Sequence, residues 1–527
     1  MAVAEAIEVR ADDVSLLSTP TEYFEQLCRG VATARKRIVL SSLYLGTRLP
    51  AERRLLELLA RAAATPDGPS VLILLDALRS TRPIKSMTTP AATVSAARGE
   101  DKNASSTRRT SVASTASVSS SSYADDIAAS ILAATPQHSL SRHVRIALFH
   151  TPLLPPLARY VVPRRFDEVF GVQHAKCAIF DDDVLVSGAN LSETYFTTRQ
   201  DRYALFSRVP SFADAMHEFV ETVAAHSYDL GPDARLRDIP AGTDPRASPA
   251  DFCASLRESF MKSGVGSSDT DVAAFARPRR GYALVYPLVQ AGFAGVMQET
   301  HTIAAYARHL SSSMSPSSSI RCTLASAYLN LSDPWRDTLT DWVLAGAGGH
   351  LRLVPSSAQS HGFGNASGIA GLLPYAYQLL RHESLASLRR GVGDSSVELV
   401  EYARPDWEYH CKGIWLETQR STEEEDARGA KTNARLQSGS RLPFASVVGS
   451  SNYGARSAMR DIELQLLVRT EDAALQARFG AELAALEAHA VLPQSSGSGS
   501  VAGTRAQPRY ASRLFVRFLL PFIRHLL

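Results

Sequence analysis

The chain is short of several things that would place it at once. It has only five cysteines (Cys28, Cys177, Cys253, Cys322 and Cys411), and none forms a C-x-x-C pair. That excludes a disulfide scaffold and argues for reduced core thiols in an intracellular compartment. No apolar run reaches the ~18 residues that a membrane-spanning helix needs. Charge of one sign is also missing: 56 Lys and Arg face 53 Asp and Glu, a net of +3. A strongly basic nucleic-acid binder is thereby excluded, and any anionic partner must be met by local patches. The first residues hold no apolar signal core. Glu5, Glu8, Asp12 and Asp13 argue against a transit peptide, which avoids acids.

What is present is a 45% hydrophobic chain of 527 residues, enough for about two to four domains with sizeable cores. Its most informative stretch is Gln173-His174-Ala175-Lys176-Cys177-Ala178-Ile179-Phe180-Asp181, followed by Ser187-Gly188-Ala189-Asn190. Residues 172–180 are apolar and turn-bounded, which predicts a buried strand. Alternation then puts His174 and Lys176 on one face beside Ala178, and Ala175, Cys177, Ile179 and Asp181 on the other. An imidazole beside a fixed cation suits attack on a phosphoryl group. Asp181, although part of the motif, is expected to be structural by the same parity. The Gly188-Ala189-Asn190 turn can bring an amide toward the same phosphate.

An imperfect second copy lies at His410-Cys411-Lys412 and Gly449-Ser450-Ser451-Asn452. The repeat extends further. Arg321 to Asn330 (RCTLASAYLN) matches Arg37 to Gly46 (RIVLSSLYLG), with Leu351 to Val354 answering Val71 to Asp76 and Val397 to Tyr402 answering Val144 to Phe149. Strands alternate with helices predicted over 19–35, 51–64, 124–134 and 211–226, so each half is an α/β unit with parallel pairing. The expected organisation is a first half over 15–227 carrying a Ser-rich disordered insert (86–122), then a linker (228–278). A second half follows over 279–508 with a polar insert (418–440), and then a basic amphipathic helix (509–527).

Two such halves related by a pseudo-two-fold axis would set His174 and His410 on opposite sides of one phosphate. One attacks and the other protonates the leaving oxygen. Lys176, Lys412, Asn190 and Asn452 hold the non-bridging oxygens, so no metal is needed. Asp201 and Asp461, which follow their asparagines by similar intervals, are the candidate acceptors that orient the histidines. Ser187, Gly188, Ser450, Arg199 and Arg456 complete the candidate substrate contacts. Cys411 falls on the strand face opposite His410 and is expected in the core.

These motifs resemble the phospholipase D superfamily with its twin H-x-K-x4-D signatures. Within it the chain is most similar to the eukaryotic-type CDP-diacylglycerol–glycerol-3-phosphate 3-phosphatidyltransferases. Residues 187–203 (SGANLSETYFTTRQDRY), 362–377 (GFGNASGIAGLLPYAY), 409–415 (YHCKGIW) and 449–463 (GSSNYGARSAMRDIE) carry the resemblance most specifically. It implies two phospholipase D-like α/β halves sharing one active site, and CDP-diacylglycerol and glycerol 3-phosphate as substrates. It also implies a phosphohistidine intermediate, no required cofactor (stimulation by a divalent cation left open), peripheral membrane contact, no nucleic acid, and a mitochondrial location. Other acceptors would make the chain a cardiolipin synthase, a phosphatidylserine synthase or a phospholipase. Loss of turnover would make it a lipid-binding relative. Two departures stand out: Glu417 replaces the second motif's aspartate, and Ser367 lies where many relatives are expected to carry a lysine.

Overall fold

A computed structural model describes residues 4–84, 121–133, 135, 143–164, 166–262, 275–314, 318–345, 349–363, 368–419, 442–493 and 510–527. The strands that matter for the site are, in the first half, β1 (Ile7–Arg10), β2 (Val14–Leu17), β3 (Arg37–Ser41), β4 (Ser70–Asp76), β5 (Val144–Phe149), β6 (Cys177–Phe180), β7 (Asp183–Ser187), β8 (Arg199–Gln200), β9 (Tyr203–Phe206), β10 (Tyr228–Leu230) and β11 (Leu236–Arg237). The second half adds β12 (Tyr282–Ala291), β13 (Val296–Met297), β14 (Ser319–Ser326), β15 (His350–Val354), β16 (Val397–Leu399), β17 (Glu401–Tyr402), β18 (Glu408–Tyr409), β19 (Lys412–Gln419), β20 (Leu442–Gly449) and β21 (Glu463–Thr470).

One sheet runs β11-β10-β5-β4-β3-β6-β7-β9-β2, and the other β1-β12-β21-β20-β19-β14-β15-β16. Read from β5 and from β16, the two orders correspond strand for strand. β3–β4–β5 and β14–β15–β16 are parallel, whereas β6 and β19 join them antiparallel. The expected pair of related α/β halves is observed, but the expected parallel pairing holds only for three strands of each sheet. Beyond them β6, β7 and β9, like β19, β20 and β21, follow one another across the sheet in chain order and so pair antiparallel. One core cluster lies between the sheets and draws on both, with Val39, Leu72, Ala175, Cys177 and Ile179 meeting Val285, Cys411, Trp415, Leu464 and Val468. Helices cover each outer face. Pro20–Thr33 and Pro50–Ala64 pack on the first sheet, and Gln298–Ser313 and Asp333–Leu344 on the second. Thr19 caps the first of these helices by accepting from the Glu22 N–H at 3.1 Å, and Pro20 sits at its first turn.

The expected boundaries shift in three places. The strand predicted over 172–180 is regular only from Cys177, because residues 172–174 leave the sheet to pair with the other half. The segment read as a linker opens with β10 and β11, which extend the first sheet. Its helix, Pro249–Lys262, sends Phe252, Leu256 and Phe260 into the central core. β1 pairs with β12, so residues ahead of the first half belong to the second sheet. The Ser-rich insert lies almost wholly outside the described residues, and Ser122 at its end caps helix Tyr123–Ile127. The polar insert also lies outside them, except for Thr418 and Gln419, which continue β19.

Helix Tyr510–Ile523 packs Val516 and Leu520 against Ala376 and Leu380 of helix Leu373–Val392. It leaves Leu514, Phe515 and Phe518 exposed at 49, 49 and 71%. It is thus both docked and amphipathic. The Phe522 side chain, expected on the apolar face, lies outside the description. No described helix is long and apolar enough to cross a membrane.

Candidate active site

The His174 segment is placed by the opposite half. After Gly171, whose φ of 138° lets the chain pass the Arg460 carbonyl, Val172 and His174 run beside Ile462. The Ile462 N–H donates to the Val172 carbonyl at 2.9 Å, and the His174 N–H to the Ile462 carbonyl at 2.9 Å. Gln173 points inward, where its Nε2 donates to Ser41 Oγ (2.5 Å) and to the Ala175 carbonyl (3.1 Å). The second motif repeats the device. β18 pairs parallel with β8, and the His410 N–H donates to the Gln200 carbonyl at 2.9 Å.

Each pairing delivers the next residue of the opposite half to the histidine. Glu463, fully buried, accepts from His174 Nδ1 at 3.0 and 3.1 Å. Asp201 accepts from His410 Nδ1 at 2.7 Å. The orienting carboxylates are therefore crossed, with each half aligning the other's imidazole. This corrects one expected residue. Asp461 does not meet a histidine. It accepts from the Val172 N–H at 3.0 Å and pairs with Arg456 at 3.1 Å. The repeat held the answer, since Asp201 stands eleven residues after Asn190 and Glu463 eleven after Asn452, whereas Asp461 is the counterpart of Arg199.

Neighbouring groups support these carboxylates. Ser450 Oγ donates to Glu463 in a short hydrogen bond. Its counterpart Gly188 leaves no room for a side chain, because an added Cβ would meet Asp201 Oδ1 at 2.5 Å. Arg202 donates its N–H to Asp201 Oδ1 (2.9 Å). Its buried guanidinium reaches Glu482 (2.6 Å), the Val447 carbonyl (2.6 Å) and Ser446 Oγ (2.8 Å), all in the second half. It passes over the Trp415 ring and occupies space that Gly413 leaves open.

The lysines fold back onto their own motifs. Lys176 Nζ donates to the His174 carbonyl (2.5 Å) and Lys412 Nζ to the His410 carbonyl (2.6 Å), with Lys412 also 3.9 Å from Asp201. Tyr195, which the sequence reading did not single out, joins Asn190 to His410: its hydroxyl accepts from Asn190 Nδ2 at 3.0 Å and lies 3.3 Å from His410 Nε2. The Oδ1 atoms of Asn190 and Asn452 are both buried without partners. Arg199 pairs with Glu408 and stacks over the Tyr195 ring at 4.4 Å. Arg456 Nη2 donates to the Glu168 carbonyl at 2.9 Å. Ser187 Oγ accepts from the Ala189 N–H (2.9 Å) and so shapes the turn.

Asp181 stays out of this assembly. It ends β6 at a φ of 56° and accepts from the backbone N–H groups of Arg35, Lys36 and Arg37 at 2.6 to 3.1 Å. The second lobe has a parallel arrangement, with Glu417 3.8 Å from Arg321, the counterpart of Arg37. Cys411 is fully buried in the core. Ser367 lies outside the described residues.

Burial governs the electrostatics. It lowers His174 to about 4 despite Glu463, with Lys176 acting in the same direction. It likewise takes Lys176 to about 7. His410 is pushed well down by burial and then by Lys412, Arg199, Lys176 and His174, which places both motifs in one electrostatic neighbourhood. Burial works against Glu463, but His174, Lys176 and Ser450 outweigh it and hold the carboxylate near 2. Burial raises Asp201 to about 6 against the pull of Lys412. Ionised Glu463 fixes the proton of neutral His174 on Nδ1 and leaves Nε2 as a lone pair. His174, Asp461 and Glu463 also offer three donors within 4.8 Å of one another, a spacing that a cation can use, although Arg456 and Lys176 already counter their charge.

The two related α/β halves and the paired His–Lys motifs are the arrangement that the resemblance to the phospholipase D superfamily implied. Among solved structures, the phosphatidylserine synthase of Haemophilus influenzae Rd KW20 matches 99% of this chain and 97% of its own, with a TM-score of 0.68 at 16% identity. By sequence, 98% of the chain is similar to the Bos taurus protein named CDP-diacylglycerol–glycerol-3-phosphate 3-phosphatidyltransferase, mitochondrial, at 29% identity over 83% of that relative. The Homo sapiens protein of the same name is 27% identical over 83% of its length, and the Saccharomyces cerevisiae transferase 27% identical over 81%. No protein-family model matches the chain. The enzyme class expected from the sequence stands in all three of these names, and the mitochondrial location in those of the Bos taurus and Homo sapiens proteins.

Proposed function

We propose that the chain moves the phosphatidyl group of CDP-diacylglycerol to glycerol 3-phosphate, giving CMP and phosphatidylglycerophosphate. The reading rests above all on the crossed pairs His174–Glu463 and His410–Asp201. His174 Nε2 attacks the phosphorus that bears diacylglycerol. The bond from that phosphorus to the CMP oxygen breaks, CMP keeps the electron pair, and His410, protonated once the anionic diphosphate offsets the cations that depress it, supplies the proton. Glu463 stabilises the cationic phosphoimidazole. His410 then takes the proton of the sn-1 hydroxyl, whose oxygen attacks phosphorus and releases His174. Lys176, Lys412, Asn190 and Asn452 carry the charge that grows on the non-bridging oxygens.

The lipid substrate is met at a bilayer surface. The exposed Leu514, Phe515 and Phe518, interleaved with Arg513 and Arg517, support an interfacial role for the last helix.

The test is an acceptor panel on purified protein. CDP-diacylglycerol is supplied with glycerol 3-phosphate, serine, phosphatidylglycerol or water, each with and without EDTA. The expected result is CMP release that needs glycerol 3-phosphate and survives EDTA. Equal turnover with another acceptor overturns the substrate assignment, and no CMP release with any acceptor overturns the enzyme reading.

A further inference from the structure

A cavity of about 530 Å³ lies in the second lobe, lined by none of the motif residues. Helix Ala455–Met459 separates it from the paired histidines. Ala455, Ala458 and Met459 line the cavity, whereas Arg456 reaches Asp461 and the Glu168 carbonyl.

The N-terminus of the 12-residue helix Asp333–Leu344 opens onto this cavity. Its N-cap, Ser332, makes no capping bond. Ser332 is 92% buried, lines the cavity, and its Oγ has no hydrogen-bond partner. An orphan hydroxyl at the positive end of a helix is a donor waiting for an acceptor. Three guanidinium groups, Arg336, Arg390 and Arg524, line the same space against two carboxylates, Asp333 and Glu383. Arg336 pairs with Asp333 and donates to the Leu331 carbonyl at 2.5 Å, and Arg524 lies 3.9 Å from Glu383. One cation is therefore in excess. Burial first, then Arg524 and Arg390, hold Arg336 below its usual range against the opposing pull of Asp337 and Glu383. The remaining wall mixes apolar Met297, Leu331, Leu380 and Met459 with polar Asn330, Ser384, Ser387 and His525.

We propose that this cavity binds a phosphate group borne on an acyl chain, the headgroup of an anionic phospholipid, with the phosphate on Ser332 and the helix N-terminus between Arg336, Arg390 and Arg524. Arg524 follows directly on the helix with the exposed Leu514, Phe515 and Phe518, so occupancy would tie that segment to the second lobe. The site does not depend on the transfer reaction.

Calorimetric titration of the full chain with dihexanoylphosphatidic acid, dihexanoylphosphatidylcholine and inorganic phosphate tests it. Phosphatidic acid should bind and phosphatidylcholine should not. Arg390→Gln combined with Arg524→Gln should weaken binding about tenfold or more, and Ser332→Ala about threefold. Arg390 and Arg524 are exposed, so these variants should melt with the parent protein. Inorganic phosphate bound as tightly, with the same losses, would keep the site and assign it to free phosphate. Binding unchanged in the variants, equal binding of phosphatidylcholine, or no binding to the parent protein overturns the proposal.

Discussion

Replacing Glu463 by glutamine removes one negative charge 3.0 Å from His174 Nδ1 and leaves the side chain's volume almost unchanged. At about 3 Å and an effective dielectric of about 20, that charge is worth roughly 5 kcal/mol to a cationic imidazole. Roughly 5 kcal/mol in the barrier corresponds to a loss of several thousand-fold in turnover. A carboxylate that aligns and stabilises a catalytic histidine elsewhere has a similar weight, about ten-thousand-fold. The assay is CMP release from CDP-diacylglycerol in mixed micelles, with the variant shown to be folded by its melting curve. Asp461→Asn is the comparison. Asparagine still offers an oxygen to the Val172 N–H, so this variant should lose no more than about tenfold. The pH profile adds a second readout. Glu463 raises the His174 pKa, so its neutralisation moves that pKa further below about 4, and no increase in pH can restore the rate. Equal losses in the two variants, or a larger loss in Asp461→Asn, would refute the crossed arrangement.

Four more outcomes are expected. His174→Ala and His410→Ala should each abolish turnover, and radiolabelled lipid trapped by rapid denaturation at mildly alkaline pH, where the N–P bond survives, should sit on one histidine only. Gly188→Ala should cut kcat by about ten- to a hundred-fold, because the added methyl displaces Asp201 from His410; wild-type kcat would remove that role. Burial raises Glu299 to about 8, so the folded state holds a proton that the unfolded chain gives up near its ordinary value. Stability is then lost as pH rises from about 4.5 to 8. Melting scans should show Glu299→Gln flattening that slope, and a slope identical to the parent's would contradict it. Changing Leu514 and Phe515 together to serine should reduce liposome flotation without lowering the melting temperature, since Val516 and Leu520 make the packing contacts.

Much of this was legible in the chain because the repeat supplied its own check. The correspondence of strands between the halves followed from the repeat and the exclusion of Asp181 from strand alternation, and Asp181 indeed caps the turn before β3. Asp461 matches Asp201 in residue type and only roughly in interval, whereas Glu463 stands at the equal eleven-residue interval from its asparagine. Tyr195 and Arg202 had no local signal. Their partners, His410 and Glu482, lie over 200 residues away, and only the packing of one lobe on the other defines such contacts. The 172–174 segment was misread for the same reason. Its apolar pattern says strand, but its pairing partner belongs to the other sheet.

The placement of β1 has a consequence for assembly. Residues 7–10 leave the ribosome long before 282–285, the edge they pair with, while β2, four residues on, closes the opposite sheet. The earliest strand must therefore wait, unpaired, for more than half of the polypeptide to be made, and its docking fastens two finished lobes like a buckle. Such long-range closure is slow to form. It also means that the second lobe, synthesised without residues 7–10, would lack the strand that covers β12.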